Sequence, residues 1–89
     1  MGGKGILKMK TNWEIRQIDG VLYDGSWIWN DSYVVGNFQT SDDPVSTLLD
    51  VLSDRGLKFD RDKIEIVDDD CVIEICSHDG RPMFAAVEV

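Results

Sequence analysis

The sequence of 89 residues has few of the residue types on which catalysis and metal binding most often depend. Its single histidine is His78, and its two cysteines are Cys71 and Cys76. A nucleophilic site needs a nucleophile, a base and a group that orients the base, and no complete set can be recognised. Structural zinc sites use paired ligands at short spacing, whereas the two cysteines fall on opposite faces of one predicted strand. We therefore expect a protein that is not an enzyme, with no metal and no other cofactor.

Long apolar runs are also missing. No run approaches the ~20 residues that a membrane-spanning helix requires, and the first ten residues lack the apolar core of a secretion signal. Those ten residues contain Lys4, Lys8, Lys10 and several glycines. We expect a flexible basic arm over residues 1–10, one domain over residues 11–89, and a cytoplasmic location in which both cysteines stay free thiols.

Basic residues are scarce beyond that arm. The chain has 9 Lys and Arg against 17 Asp and Glu, a net charge of −8. Because the arm contributes +3, residues 11–89 carry −8 − 3 = −11. A domain with this charge repels a phosphate backbone, so we expect no direct nucleic-acid binding by the folded part. The charge suits a soluble domain, a surface that docks on a basic partner, or an imitation of nucleic acid.

One segment, residues 43–55, is typical of a helix. Asp43 can cap the first free amides, and Pro44 fits the first helical position. Gly56 can supply the left-handed residue that ends the helix. Apolar residues recur at helical spacing and form one stripe: Val45, Leu48, Leu49 and Leu52.

The remaining segments are typical of strands. Alternating patterns, with turn signals at Asp19-Gly20 and Asp24-Gly25, predict an N-terminal meander of short strands over residues 11–39, and a second three-stranded meander follows the helix. The predicted fold is a single α+β domain. It has an antiparallel sheet of five to six strands in two meanders, with the central helix (about residues 43–55) packed on one face.

The aromatic residues suggest where a partner could bind. Trp27 and Trp29 are two positions apart on one predicted strand, so their rings share a face. They could pack beneath the helix as core. Alternatively, both faces of the sheet carry apolar residues, and an aromatic patch stays exposed as a binding or self-association surface. The candidate partner-binding residues are then Trp27, Trp29 and Tyr33 as anchors, with Asp24, Asp31 and Asp42 as steering charges.

The leading hypothesis is a small acidic, non-enzymatic protein-binding module, such as a regulator or accessory subunit, with an unidentified protein partner. One alternative is an acidic nucleic-acid mimic that inhibits a basic nucleic-acid-binding protein. A second alternative is a small thiol enzyme that uses Cys76 and His78. A homodimer is compatible with all three hypotheses.

Overall fold

The computed structural model describes residues 9–89, so the predicted basic arm lies outside the described residues except for Met9 and Lys10. The fold is α+β, with one antiparallel sheet of five strands and one α-helix. The elements are β1 (Thr11–Tyr23), β2 (Ser26–Thr40), α1 (Pro44–Asp54), a 3₁₀ turn (Arg61–Lys63), β3 (Ile64–Asp69), β4 (Val72–Ser77) and β5 (Pro82–Glu88). The strand order across the sheet is β2-β1-β5-β4-β3.

The N-terminal half is one long hairpin, whereas the sequence predicted a meander of short strands. Asp19 and Gly20, predicted to form a turn, lie inside β1 at a shift in register. Asp19 is opposite Asp31 and Gly20 is opposite Trp29, so Asn30 is the extra residue of a bulge in β2. A bulge absorbs one residue without ending the ladder, and the predicted short strands therefore join into β1 and β2.

The turn of this hairpin is Asp24-Gly25. Both residues have positive φ, 52° and 81°. A two-residue hairpin loop of type I′ needs left-handed backbone at both central positions, and Asp-Gly suits them. This turn signal was predicted correctly. It forms the tip of the outer half of the hairpin, by which we mean residues 17–33.

The helix begins and ends where its capping residues predict. The Asp43 carboxylate accepts a 3.1 Å hydrogen bond from the Val45 amide, and Pro44 is the first helical residue. At the other end Gly56 has φ 87°, and the Leu57 amide donates to the Leu52 carbonyl at 2.9 Å. This hydrogen bond satisfies a carbonyl group that the end of the helix would otherwise leave unpaired.

The main core contains side chains from both the helix and the sheet. Leu48 and Leu52 are fully buried and belong to one hydrophobic cluster with residues of four strands. The strand residues in this cluster are Trp13, Ile15, Phe38, Ile73, Ile75 and Ala86. Trp27 and Trp29 lie outside the cluster.

The opposite face of the sheet has a small buried group of its own. Ile18, Cys76 and Ala85 are buried but do not belong to the main cluster. Gly20 lies so close to β5 that a Cβ atom placed on it would be 2.9 Å from the Pro82 carbonyl oxygen. The outer half of the β1–β2 hairpin therefore packs tightly against the start of β5.

Candidate protein-binding surface on the β1–β2 hairpin

The outer half of the hairpin has two distinct faces, and the register defines them. Residues directly opposite each other share a face, as do residues two apart on a regular strand. One face carries a series of aromatic, apolar and acidic side chains, and we term it the acidic–aromatic face. Its cross-strand pairs are Gln17–Tyr33, Asp19–Asp31, Val21–Ile28 and Tyr23–Ser26.

The acidic–aromatic face is on the helix side of the sheet. Ile15 precedes Gln17 by two positions on β1, and it joins the main core with Leu48 and Leu52. The hairpin extends past this core, and Tyr33 is 56% exposed and Tyr23 70% exposed. This part of the face is therefore open to a partner.

The two tryptophans lie on the other face and bond to the rest of the sheet. The Trp29 indole N–H donates to Glu74 Oε1 on β4 at 2.8 Å, and the Trp27 indole N–H donates to the Asp79 carbonyl oxygen at 3.1 Å. Strands β1 and β5 separate β2 from β4, so the two strands would be roughly 14 Å apart in a flat sheet. The hairpin must therefore curl over this face, and the two indoles hold it there.

Exposed apolar side chains are concentrated on the hairpin. Residues 9–89 include ten large hydrophobic side chains that are exposed, and six of them lie between residues 22 and 34. The six are Leu22, Tyr23, Ile28, Trp29, Tyr33 and Val34. The other four are scattered over the rest of the described chain.

The charge on the acidic–aromatic face is negative. Asp19 and Asp31 are directly opposite each other, an arrangement that is unfavourable for like charges. The Asp19 carboxylate accepts a hydrogen bond from Asn30 Nδ2 at 3.1 Å, and the Asp31 carboxylate accepts one from the Ser32 amide at 2.8 Å. Within residues 9–89 neither carboxylate forms an ion pair. Asp31 also raises the pKa of Tyr33, first through hydrogen bonding and then through its charge.

No protein family, curated protein or solved structure matches this chain. The properties of the acidic–aromatic face therefore follow from its geometry and charge.

The structure brings some of the predicted partner-binding residues together and separates others. Tyr33 and Asp31 share the acidic–aromatic face, and Asp24 lies in the turn at its tip. Trp27 and Trp29 are on the opposite face, because the bulge at Asn30 interrupts the alternation of β2. Asp42 is elsewhere: it follows the far end of β2, where its amide donates to Thr40 Oγ1 at 3.0 Å.

Three residues of this face that matter for binding, Asp19, Tyr23 and Ile28, were not among the sequence candidates. Asp19 was interpreted as part of a turn, so its place opposite Asp31 could not be recognised. The alternation of Asp19, Val21 and Tyr23 on β1 was the available signal. It indicates a shared face only if the chain runs through Gly20 without turning.

Cys76, the thiol of the alternative thiol-enzyme hypothesis, is a poor nucleophile in the structure. Cys76 is buried, and burial, followed by the charges of Glu74 and Glu65, raises the pKa of its thiol. Because the thiolate is the reactive form, the raised pKa lowers the fraction of Cys76 that is nucleophilic near neutral pH. His78 is exposed in the turn between β4 and β5.

The described residues also bear on metal binding, on small-molecule binding and on membrane insertion. Among residues 9–89 no three or more His, Cys, Asp or Glu side chains are grouped so that they could hold a metal ion. An open recess of about 460 Å³ lies beside Trp13 and Phe38. Its polar lining consists of the Asn12, Asn37 and Gln39 amides and the Glu14 carboxylate, without a thiol or an imidazole. In the described chain, no helix has the length and apolar character needed to cross a membrane.

Proposed function

We propose that this protein is a small acidic protein-binding module, acting by association and not by catalysis. The partner binds the outer half of the β1–β2 hairpin. The observation that carries the proposal is the concentration of exposed large hydrophobic side chains on this hairpin, which holds six of the ten among residues 9–89, three of them (Tyr23, Ile28 and Tyr33) on the acidic–aromatic face. Exposed apolar patches on small soluble domains commonly mark interaction sites, and a regulator or accessory subunit would use such a surface.

The proposed anchors are Tyr33, Ile28 and Tyr23 on the acidic–aromatic face. Aromatic side chains are enriched in binding hot spots, and tyrosine provides a large contact area at low cost in side-chain entropy. A hairpin presents these groups on a fixed backbone, which reduces the ordering cost of association. Trp29 contributes differently, since its indole bond to Glu74 holds the hairpin in shape.

The arrangement of acids favours protein docking over nucleic-acid mimicry. A mimic would need its carboxylates in a row on one surface. Here Asp19 and Asp31 lie on the hairpin, and the acidic run 68–70 lies at the turn between β3 and β4. Apolar groups accompany the hairpin acids, as expected for a protein interface with steering charges.

A capture experiment with matched variants tests the proposal. Tagged protein would be exposed to lysate of the source organism, and retained proteins identified by mass spectrometry after washes at low and high salt. The test variant is Ile28→Thr with Tyr33→Thr, since threonine preserves strand propensity. The control is Leu57→Ser with Val67→Thr, which changes two exposed apolar side chains off the hairpin. Circular dichroism confirms that all forms fold.

The expected result is a protein retained by the wild-type chain and the control at high salt, and lost by the hairpin variant. Equal retention by both variants would show that the hairpin is not the binding surface. A set of basic nucleic-acid-binding proteins that high salt releases from all three forms would support mimicry instead, because salt screens exposed charges.

A further inference from the structure

We infer that the segment docking on the acidic–aromatic face is basic. An arginine or lysine side chain of the partner, flanked by apolar side chains, binds at the Asp19–Asp31 pair beside Tyr33. This inference rests on the proposed function and adds the chemistry of the partner.

The Asp19–Asp31 pair is complementary in charge to a cationic side chain. Asp19 and Asp31 are direct cross-strand partners, which places their Cβ atoms roughly 5 Å apart. A guanidinium or ammonium group between them would relieve their repulsion and donate charge-assisted hydrogen bonds to both. Two of the chain's own arginines bond elsewhere: Arg16 to Ser32 Oγ and Glu14, and Arg55 to the Val35 carbonyl oxygen.

Apolar side chains lie on both sides of that pair. Tyr33 lies on the side of the pair nearer the core, and Ile28 lies on the side nearer the hairpin turn, with Val21 opposite Ile28. A tyrosine ring adjacent to a cation also attracts it through the ring quadrupole. The order apolar, acidic, apolar therefore matches a cationic side chain with an apolar neighbour on each side.

The irregular edge of the sheet favours docking on the face of β2. Among the described strands β2 pairs with β1 alone, so it is an edge strand. Its ladder is interrupted by extra residues at Asn30 and Val35, which leaves the regular stretch 31–34 between them. Bulges of this kind protect edge strands from pairing with another chain. The partner is therefore expected to contact the face and not to extend the sheet.

A second copy of this chain is a poor occupant for the same face. Each chain carries a net charge of −8, and a symmetric contact through this face would bring the Asp19–Asp31 pairs of both copies together. Like charges held close across an interface are strongly unfavourable. A foreign basic segment meets no such cost.

Titration of the whole chain with a defined probe tests the inference. The probe is a short peptide in which leucine and arginine alternate, and its control has glutamine in place of arginine. Backbone amide spectra by NMR report where each peptide binds and how tightly. The test variant is Asp19→Asn with Asp31→Asn, and the matched control is Asp68→Asn with Asp69→Asn. Both variants remove the same charge from exposed acids on strands.

We expect the arginine peptide to shift the amides of residues 31–33 and Asp19, and the glutamine peptide to bind far more weakly. The test variant should lose about tenfold or more in affinity, and the control much less, because two charge-assisted hydrogen bonds disappear only in the former. Equal losses in both variants, or shifts centred on residues 68–70, would show unspecific attraction and overturn the inference.

The lysate partner separates this inference from the proposed function. If the Ile28→Thr with Tyr33→Thr variant loses the captured protein while Asp19→Asn with Asp31→Asn retains it, the hairpin binds a partner but not through a cation. Self-association of the wild-type chain through residues 31–33, measured by sedimentation, would assign the face to a second copy and also overturn the inference.

Discussion

The indole N–H of Trp29 donates a 2.8 Å hydrogen bond to the carboxylate of Glu74, although 45 positions separate the two residues in the chain. Trp29 lies on the edge strand β2, and Glu74 lies on β4, two strands beyond β1. This bond and that of Trp27 to the Asp79 carbonyl oxygen hold the hairpin against one face of the sheet. As a consequence, the acidic–aromatic face points the other way, toward solvent.

Replacing Trp29 with phenylalanine tests this bond. The variant retains an aromatic ring but removes the donor, so we expect a loss of about 1 kcal/mol in the free energy of unfolding. Urea denaturation of Trp29→Phe, Glu74→Met and the double variant forms a cycle that isolates the pair, since methionine keeps the length of the side chain and removes the carboxylate acceptor. Strictly additive losses would mean that the bond contributes nothing to stability.

Replacing Gly20 with alanine tests the close approach of the hairpin to β5. The new Cβ would lie 2.9 Å from the Pro82 carbonyl oxygen, a backbone atom that cannot move freely, so we expect a loss of about 1–3 kcal/mol by thermal or urea unfolding. Gly36→Ala is the matched control, since the three atoms nearest to its Cβ would belong to the flexible Arg55 guanidinium. Similar stabilities for the two variants would contradict the packing described for Gly20.

The two cysteines should react very differently with iodoacetamide near neutral pH. Cys71 is exposed and should be alkylated first, whereas Cys76 is buried with a raised pKa and should react slowly. Mass spectrometry over time should show a single early adduct in the native protein and two adducts in denaturant. The Cys71→Ser variant should lose the early adduct. Rapid alkylation of that variant would revive the thiol-enzyme hypothesis.

The pKa of Tyr33 should fall toward its ordinary value of about 10 when Asp31 is replaced by asparagine. Asp31 raises this pKa by favouring the protonated hydroxyl in the folded chain. The associated stability is therefore complete below pH ~10 and is lost as the pH rises through the pKa of the folded state. Carbon-13 NMR of labelled tyrosine measures the shift. Asp42→Asn removes an equal charge at the far end of β2, and an equal effect there would contradict a local cause.

Local sequence signals were sufficient for the helix and for the turn of the hairpin. Asp43, Pro44 and Gly56 act through hydrogen bonds and backbone angles within a few positions of themselves, so their meaning does not depend on the rest of the fold. The same holds for Asp24-Gly25, whose two left-handed residues close a two-residue loop. The α+β class followed from this helix and the strand patterns around it.

The acidic–aromatic face was beyond these local signals because its composition depends on two bulges in β2. Asp-Gly occurs at 19–20 and at 24–25, and the second pair turns the chain while the first lies within a strand. Nothing within a few residues distinguishes the two. Pairing with β2 does, since the strand can continue past Gly20 where Asn30 bulges and Pro82 approaches.

The sequence by itself determined the acidic charge, the α+β class, the helix and the residues available for binding. Only the tertiary structure decided which of them share a face. Trp29 and Asp31 are two positions apart and would lie on the same side of a regular strand, but the extra residue at Asn30 places them on opposite sides. One inserted residue reverses the alternation of every side chain beyond it, and long-range pairing alone determines where that residue is accommodated.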